Sequence, residues 1–319
     1  MCAIFGWLDY KSIINSKVLN KLTQALANAA EERGTDAAGI SYVCDKKVVV
    51  YKRPRPAHKI KFIVPKGVSA VMGHTRFATQ GDKKHNQNNH PFKGRANVSF
   101  ALAHNGVLYN DTQLRKSYGL PDTNIETDSY IAVQLIENYK YLTIRNLKLM
   151  AEDVYGTYNF TILDEFNNLY FVKGSNPLQI LHFEALGLYV YASTETIIKK
   201  ALNKSILKNF AYKNIVLTEG DILKLDRYGH RENGTFEPKE LMLNKKFYND
   251  WFYYDYAAES TESKELNHLY NYGRFYGIDE DEIDELLEFG FTSDDIQELF
   301  YNTAELKRIQ AMIRGELDD

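Results

Sequence analysis

The alternation of apolar and polar residues predicts a strand at the start of the chain and a helix directly after it. Segment 1–10 (MCAIFGWLDY) is a largely apolar run that reads as a strand. Between residues 18 and 30, valine, leucine and alanine recur at three- and four-residue spacing, which predicts an amphipathic helix. Ser16 is the predicted N-cap of this helix, and Gly34 lies just past its end.

The strand and helix patterns that follow indicate the fold class. Strand patterns lie at 37–43, 47–53, 68–74, 98–104, 157–164, 168–174, 187–193, 213–220 and 221–227. Helical patterns lie at 127–139, 142–154 and 194–202, and a polar, loop-like segment lies at 81–94. Asp45 and Lys46 form the predicted turn between the second and third strands. Runs of strands and helices in this order are typical of an α+β protein with antiparallel sheets, not of alternating βαβ units.

The composition changes near residue 240. Residues 240–319 carry seven Lys/Arg and twenty Asp/Glu, a net charge of −13, whereas the whole chain of 319 residues carries −3 and the remainder therefore +10. The same stretch is rich in aromatic residues and has helical patterns at 279–291, 293–302 and 303–313, with Ser293 as a predicted N-cap. We therefore predict a large domain at 2–238 and an acidic, aromatic-rich helical tail at 239–319. The tail is either a docking element or a helical cap on the large domain.

The overall composition excludes several classes of protein. Hydrophobic residues make up 44% of the chain and charged residues 25%, as in ordinary globular proteins. No apolar run is long enough to span a membrane, and the first residues do not form a signal peptide. The small net charge does not indicate a nucleic-acid partner, and no glycine-rich phosphate loop is present. We expect a cytoplasmic protein without a cofactor.

The two cysteines, Cys2 and Cys44, are too few for a disulfide framework. Cys44 lies in an apolar strand pattern, so we interpret it as a buried or half-buried strand residue. Cys2 becomes the first residue when Met1 is removed. Its thiol is then a nucleophile beside a free α-amine, whose usual pKa of about 7.7–8.0 suits a base. We therefore predict that the mature protein starts at Cys2.

Short motifs follow Cys2 in a fixed order. They are CAIFG at 2–6, RGTDAAG at 33–39, GHTRFATQG at 73–81, NNHPF at 88–92, AHNG at 103–106 and ETD at 126–128. Together they resemble the class II glutamine amidotransferases, which are N-terminal nucleophile (Ntn) hydrolases. The sequences of these motifs are most similar to those of the glutaminase domains of glucosamine-6-phosphate synthases. The resemblance covers roughly residues 2–230, and the residues after it are too few for a synthase domain.

The resemblance implies a fold, an activity and a set of site residues. The fold is a four-layer α/β/β/α sandwich of two antiparallel sheets, with a small helical C-terminal extension. The activity is hydrolysis of the side-chain amide of L-glutamine to glutamate and ammonia, through a thioester on Cys2. Asn105 and Gly106 lie in the oxyanion segment, Arg76 and Thr79 in the segment for the glutamine carboxylate, and Asp128 in the segment for the glutamine amine.

The chemistry of these side chains suits the implied roles. Asn105 can donate a hydrogen bond from its amide, and Gly106 from its backbone N–H, to a developing oxyanion. Asn-Gly alone is also a signal for a hairpin turn. Arg76 offers a planar fork to a carboxylate, and Asp128 offers an anion to an ammonium group. Taken singly, Arg76 also reads as a strand residue with a solvated head, and Asp128 as an acid near a helix start.

Other motif residues are interpreted as structural. We predict that Arg33 and Asp36 brace the cysteine strand and an adjoining turn, and that Gly34 meets a backbone requirement. His74 and His90 lack a carboxylate or cysteine at ligand spacing, so we interpret them as satisfied structural histidines and predict no metal site.

Two positions depart from the pattern of the family. Ala3 replaces a glycine, which adds a methyl group beside the nucleophile. Gln80 stands where the sugar-synthase relatives usually carry histidine, and we interpret it as a difference in coupling to the substrate or a partner.

Three functions remain open from the sequence. The first is a glutaminase subunit that supplies ammonia to a separate synthase subunit. The second is an Ntn cysteine hydrolase acting on a different amide, and the third is a catalytically silent relative that binds a ligand or partner. We favour the first, because Arg76 with Asp128 suits a free α-amino acid and the residues Cys2, Asn105 and Gly106 are all present. The expected partners are L-glutamine and that synthase subunit, with no nucleic acid and no membrane.

Overall fold

A computed structural model describes residues 2–239, 269–270, 273, 278–300 and 303–313. The chain divides into two compact units, Met1–Leu241 and Met242–Asp319. The domain boundary proposed from composition, between residues 238 and 239, remains a prediction.

The first unit contains two antiparallel sheets. The first sheet, in spatial order, consists of β11 (Lys213–Ile215), β9 (Gln179–Phe183), β10 (Leu188–Ala192), β1 (Ala3–Asp9), β4 (Ala70–Arg76), β2 (Ala37–Cys44) and β3 (Lys47–Arg53). The second sheet consists of β13 (Arg231–Thr235), β12 (Asp221–Leu225), β8 (Leu169–Lys173), β7 (Gly156–Asp164), β6 (Ser99–Leu108) and β5 (Phe92–Arg95).

Helices cover the outer face of each sheet. They are α1 (Ser16–Ala30), α2 (Asp111–Ser117), α3 (Tyr130–Asn138), α4 (Ile144–Asp153) and α5 (Glu195–Leu202). Helices α1 and α5 pack on the first sheet, and α2, α3 and α4 share a hydrophobic core with the second. A third core lies between the two sheets. The layers therefore run helix, sheet, sheet, helix, and the predicted α+β four-layer sandwich is confirmed.

Strand β1 lies in the middle of the first sheet, between β4 and β10. All of its residues from Ala3 to Asp9 are buried. Phe5 and Trp7 belong to the core under α1, whereas Ile4 and Leu8 belong to the core between the sheets. A strand that is buried on both faces carries an apolar run without alternation, and this explains the opening of the sequence.

The structure corrects both predicted N-caps by one residue. Asn15, not Ser16, caps α1, because its side chain accepts a hydrogen bond from the backbone of Lys17. Thr292, not Ser293, caps a tail helix, since its hydroxyl accepts from the backbone N–H of Asp295. In each case two adjacent residues can cap a helix, and the spacing of apolar residues does not choose between them.

Several strand predictions also change. The strand predicted at 213–220 is limited to Lys213–Ile215. The predicted loop at 81–94 ends in β5, and the strands β9 and β13 and the helix α2 have no counterpart in the sequence prediction. Strand β13 is exposed or half-buried along its whole length, so it has no apolar alternation to detect.

The described part of the second unit is helical. Its helices are α6 (Glu280–Glu288), α7 (Ser293–Phe300) and α8 (Thr303–Ile313). Asp279 begins α6 with a capping box, in which its side chain and that of Glu282 each accept from the other's backbone N–H. Leu286, Ile296 and Phe300 are among the residues of a small core in this unit. In the described residues, no helix has the length and apolar character needed to cross a membrane.

Candidate active site

Cys2 lies directly before β1, at the N-terminal end of this central strand, and residues next to the neighbouring strands position it. Its Sγ lies 3.4 Å from both the backbone nitrogen and the backbone oxygen of Phe77, which follows β4. The Nε of Arg33 donates to the carbonyl of Cys2 at 2.9 Å. The thiol is therefore held at the end of β4, and the residue is half-buried.

The environment of Cys2 favours the neutral thiol. Burial raises the pKa of the Cys2 thiol, against the opposing effects of the Phe77 backbone and of Arg76. A thiol with a raised pKa is protonated at neutral pH, so nucleophilic attack requires a base. The predicted base is the α-amine freed by removal of Met1, a residue that lies outside the described part of the chain.

The predicted oxyanion donors lie on β6 in the second sheet. Asn105 is 1% exposed. Gly106 has a φ of +147°, and a Cβ there would lie 1.9 Å from the carbonyl oxygen of Thr157 on β7. Only glycine fits this conformation and this approach. The side chain of Asn176 donates to the carbonyl of Asn105 at 2.9 Å and supports the same strand.

Ser193 connects the two sheets at this point. Its Oγ accepts from the Nδ2 of Asn105 at 3.3 Å and from the backbone N–H of Ile4 at 2.9 Å. Its own backbone N–H donates to the carbonyl of Ile4, also at 2.9 Å. Ile4 is two residues from Cys2, so Ser193 links the predicted nucleophile strand to the predicted oxyanion side chain.

Arg76 ends β4 and is buried, with 2% of its surface exposed. Its Nη1 donates to Oδ1 of Asn89 at 2.7 Å, and its Nη2 donates to the backbone carbonyls of Gly81, at 2.9 Å, and Gln80. These contacts use three of the five guanidinium N–H groups. The guanidinium of Arg76 is therefore bound to the following loop and is not a solvated head group, the alternative that the sequence left open. Its Nε and one Nη1 hydrogen are not used by the described residues.

Asp128 precedes α3 and is 4% exposed. Its Oδ2 accepts from the backbone N–H of Leu108 at 2.6 Å, and its Oδ1 accepts from Ser129 Oγ at 3.3 Å. Burial raises the pKa of the Asp128 carboxyl, while these hydrogen bonds and Arg76 oppose the shift. Arg76 lowers and Asp128 raises the pKa of the Cys2 thiol, so both predicted recognition residues influence the charge of the predicted nucleophile.

The loop after β4 carries the two remaining positions of the 73–81 motif. Thr79 is exposed, so its predicted substrate contact rests on the motif. Gln80 has a structural contact, because its Oε1 accepts from the backbone N–H of Asp128 at 3.2 Å. Asn88 and Glu126 add a second connection, in which Asn88 Nδ2 donates to Glu126 Oε2 at 2.7 Å. The loop is therefore bound to the segment that positions Asp128.

The predicted supporting residues contact the same region. Asp36 accepts from the backbone of Ala78 at 2.8 Å and pairs with Lys83 at 2.6 Å. A Cβ on Gly34 would lie 2.4 Å from the backbone carbon of the last residue of β4, so the chain can pass here only as glycine. Arg33 contacts the backbone of Cys2 as described above. These contacts are consistent with the bracing role of Arg33 and Asp36, which stays a prediction.

The buried side chains of His74 and His90 do not form all the hydrogen bonds that their interpretation as satisfied structural histidines requires. His74 Nε2 lies 2.9 Å from the carbonyl of His104, but its Nδ1 has no hydrogen-bond partner among the described residues. For His90 the interpretation is wrong, since neither ring nitrogen has a described partner. The reason is its enclosure between the rings of His74 and Phe92, at 4.1 and 4.4 Å between centroids. Within the described residues, no group of three or more His, Cys, Asp or Glu could hold a metal ion.

Sequence reasoning did not identify Ser193 or give Asn89 a role. Ser193 is 189 residues from Ile4 in the sequence, and it follows a strand without any motif of its own. Asn89 lies in a recognised motif, yet its contact with Arg76 depends on how the loop folds back. Long-range contacts of this kind have no local sequence signal.

Comparison with known proteins finds glutamine amidotransferase sequences similar to this chain. The family model for a glutamine amidotransferase domain matches residues 74–200. A glutamine–fructose-6-phosphate aminotransferase (isomerizing) of Staphylococcus aureus is 33% identical over 191 residues, which covers 56% of this chain and 30% of the relative. The corresponding protein of Bacillus thuringiensis is 34% identical over 192 residues, with the same coverage. The chain thus spans about 30% of the length of these curated relatives.

Solved structures agree on the fold. The glutamine phosphoribosylpyrophosphate amidotransferase of B. subtilis, in complex with ADP and GMP, has a TM-score of 0.58 and 22% identity, over 75% of this chain and 50% of that chain. A structure described as the allosteric regulatory enzyme of purine biosynthesis has a TM-score of 0.57 and 21% identity, with the same coverage. At these identities the likeness concerns the fold alone.

Proposed function

Because this chain contains a class II glutamine amidotransferase domain, we propose that it hydrolyses the side-chain amide of L-glutamine to glutamate and ammonia. The main support is the hydrogen-bonded connection through Ser193, which joins Asn105 to the residue two positions after Cys2. This connection supports the proposal, because amide hydrolysis requires a nucleophile and an oxyanion donor in a fixed arrangement, and it joins the strand of the proposed nucleophile to the proposed donor.

In the proposed reaction, Cys2 attacks the amide carbon of the substrate side chain. The thiol proton passes to the α-amine of Cys2, and a bond forms between Sγ and the carbonyl carbon. The oxyanion of the tetrahedral intermediate accepts hydrogen bonds from Asn105 Nδ2 and the backbone N–H of Gly106. The amide nitrogen takes up this proton from the α-ammonium of Cys2 and leaves as ammonia. Water then attacks the thioester, which releases glutamate and restores the thiol.

Substrate recognition is proposed to use Arg76 and Asp128. The guanidinium of Arg76, whose Nε–H is not used by the described residues, is suited to the substrate carboxylate, and Asp128 is suited to the substrate ammonium. The burial of both groups supports this assignment, because charged groups that are removed from water interact strongly with a bound charge. Thr79 is proposed as a further contact in the carboxylate segment.

The ammonia is proposed to pass to an acceptor reaction on a separate partner protein. The supporting feature is residues 240–319, whose net charge of −13 suits a basic surface on a partner. Glutamine labelled with ¹⁵N in its side chain tests this step. The label should enter an acceptor product when the chain is purified with its partner and should remain as free ammonia when the chain is alone.

Intact-mass measurement and two cysteine variants test the hydrolysis itself. We expect the active protein to lack Met1 and the Cys2→Ala variant to release no glutamate from L-glutamine. Cys44→Ala is the matched control and should keep wild-type turnover, since Cys44 is a half-buried residue at the end of β2. Retention of Met1 in fully active protein would exclude the α-amine as base. Equal losses in both variants would show that the interpretation of Cys44 as a strand residue without a catalytic role is wrong.

A further inference from the structure

Lys52, on β3, places its ammonium group on the segment that follows the carboxylate motif. Its Nζ donates to the backbone carbonyl of Asn89 and, at 3.4 Å, to that of Gln87. The same ammonium lies 4.8 Å from the centroid of the Phe92 ring. The side-chain amide of Asn86 donates in return to the backbone carbonyl of Lys52 at 3.0 Å. Lys52 is therefore bound to the segment 86–89 from both its side chain and its backbone.

Keeping a cation at this position is unfavourable for the fold. Burial, with a smaller effect of Arg76, lowers the pKa of the Lys52 ammonium to about 8. The acceptors of its hydrogen bonds are neutral carbonyls, and the charged group that affects its pKa is a second cation, Arg76. Such an arrangement is more typical of a functional site than of a packing position.

Asn89 passes this contact on to Arg76. The backbone carbonyl of Asn89 accepts from Lys52, and its side-chain Oδ1 accepts from Nη1 of Arg76 at 2.7 Å. The Nδ2 of Asn89 donates to the carbonyl of Lys83 at 3.0 Å, which fixes the orientation of the amide. Asn89 is fully buried. A shift of its backbone would therefore move the oxygen that orients the guanidinium.

We propose that Lys52 is a positioning residue for recognition of the substrate carboxylate: its ammonium holds segment 86–89, and through Asn89 it orients Arg76. This proposal rests on the proposed binding of an α-amino acid by Arg76. It also assigns a pH dependence to substrate affinity. Loss of the Lys52 charge above neutral pH weakens the contact with Asn89, and the affinity for glutamine falls.

The neighbouring groups do not change charge in the same range. The charged and titratable groups that act on Lys52 or are acted on by it include Arg76, His74 and His90. Burial lowers the pKa of His74 to about 3 and that of His90 well below its usual value, so both are neutral at pH 7 and above. Arginine keeps its charge throughout. Of these four residues, Lys52 is the one that titrates between pH 7 and 9.5.

Steady-state kinetics of Lys52→Met and Lys52→Arg test the proposal. Lys52→Met should raise KM for L-glutamine about tenfold at pH 7, since a hydrogen bond from a charged group is lost, and should leave kcat within about twofold. Lys52→Arg should keep the pH 7 value of KM. Between pH 7 and 9.5, the KM of the wild type should rise several-fold relative to that of Lys52→Arg, because arginine does not lose its proton. Lys47→Met, an exposed lysine on the same strand, is the matched control and should match the wild type.

Amide hydrogen exchange separates this proposal from the proposed function. The backbone N–H groups of Asn88 and Asn89 bond to His85 and Asn86, and their exchange should quicken in Lys52→Met but not in Lys47→Met. Faster exchange in a protein that turns over no glutamine would overturn the proposed function and leave the contact from Lys52 to Arg76 supported. Unchanged exchange, an unchanged KM, or superimposable pH profiles of wild type and Lys52→Arg would each overturn the role of Lys52.

Discussion

Changing Ser193 to alanine removes the hydroxyl that joins the two sheets beside Cys2. The Oγ of Ser193 accepts from the backbone N–H of Ile4 and from the amide of Asn105, and all three residues are buried. Without the hydroxyl, two donors lose their acceptor. A buried donor left unsatisfied costs about 1–3 kcal/mol. Part of this loss is recovered when the Asn105 amide turns, so we expect the free energy of unfolding to fall by about 2–4 kcal/mol.

The same substitution should also affect the reaction. The amide of Asn105 has two hydrogens, and the bond to Ser193 uses one and thereby orients the other. Free rotation of the amide in Ser193→Ala should lower kcat for glutamine by about tenfold, which corresponds to about 1.4 kcal/mol of activation free energy. KM should change little, because Arg76 and Asp128 are untouched.

Thermal unfolding and glutaminase kinetics measure the two effects separately. In a unit of this size, 1 kcal/mol shifts Tm by about 2–4 °C, so Tm should fall by about 5–15 °C. Ser41→Ala is the matched control, because Ser41 is buried in the same sheet and its hydroxyl donates to the carbonyl of Val49. It should lower Tm and keep kcat. If Ser193→Ala lost stability but kept the wild-type kcat, Ser193 would have only a structural role, and its hydrogen bond to Asn105 would not contribute to catalysis.

Two further predictions concern recognition and chemistry at the same site. Arg76→Lys keeps the charge but loses the planar fork and its contacts to the loop, so it should chiefly raise KM for glutamine. Asn105→Ala removes an oxyanion donor and should instead lower kcat on the order of a hundredfold. Steady-state kinetics that showed the reverse pattern would overturn both assignments. Burial raises the pKa of Asp128, so its carboxylate is lost as pH falls through this raised value, and the affinity for glutamine should fall with it. Measurements of KM from pH 7.5 down to 4.5 check this, and Asp128→Asn should raise KM and abolish the low-pH rise; a rise that persists in the variant would assign it to another group.

The sequence predicts the elements with strong local signals. The hairpin of β2 and β3, with Asp45 and Lys46 in its turn, agrees with the structure, and both turn residues have the positive φ of a tight hairpin. Helix α8 also agrees, at Thr303–Ile313. Regular spacing of apolar residues, or a turn that restricts φ, determines such elements within a few residues of sequence.

The parts that were missed depend on contacts between distant residues. The residues of the predicted site come from recognisable motifs, but Ser193 and Lys52 act through partners far away in the sequence. Lysine on an outer strand of a sheet ordinarily points to water, and a serine after a strand ordinarily begins a helix or a turn. Only the packing of the loop at 86–89 and the approach of the two sheets give these two side chains their contacts.

The central position of β1 in the first sheet affects folding during translation. This strand is translated well before one of its two partners, β10, which ends at Ala192. At about 5–20 residues per second, translation needs roughly 10–40 s to reach that point. Throughout this time the apolar residues of β1 lack one of their two neighbouring strands. The candidate site can therefore be completed only after β10 is translated, although the predicted nucleophile lies directly before β1.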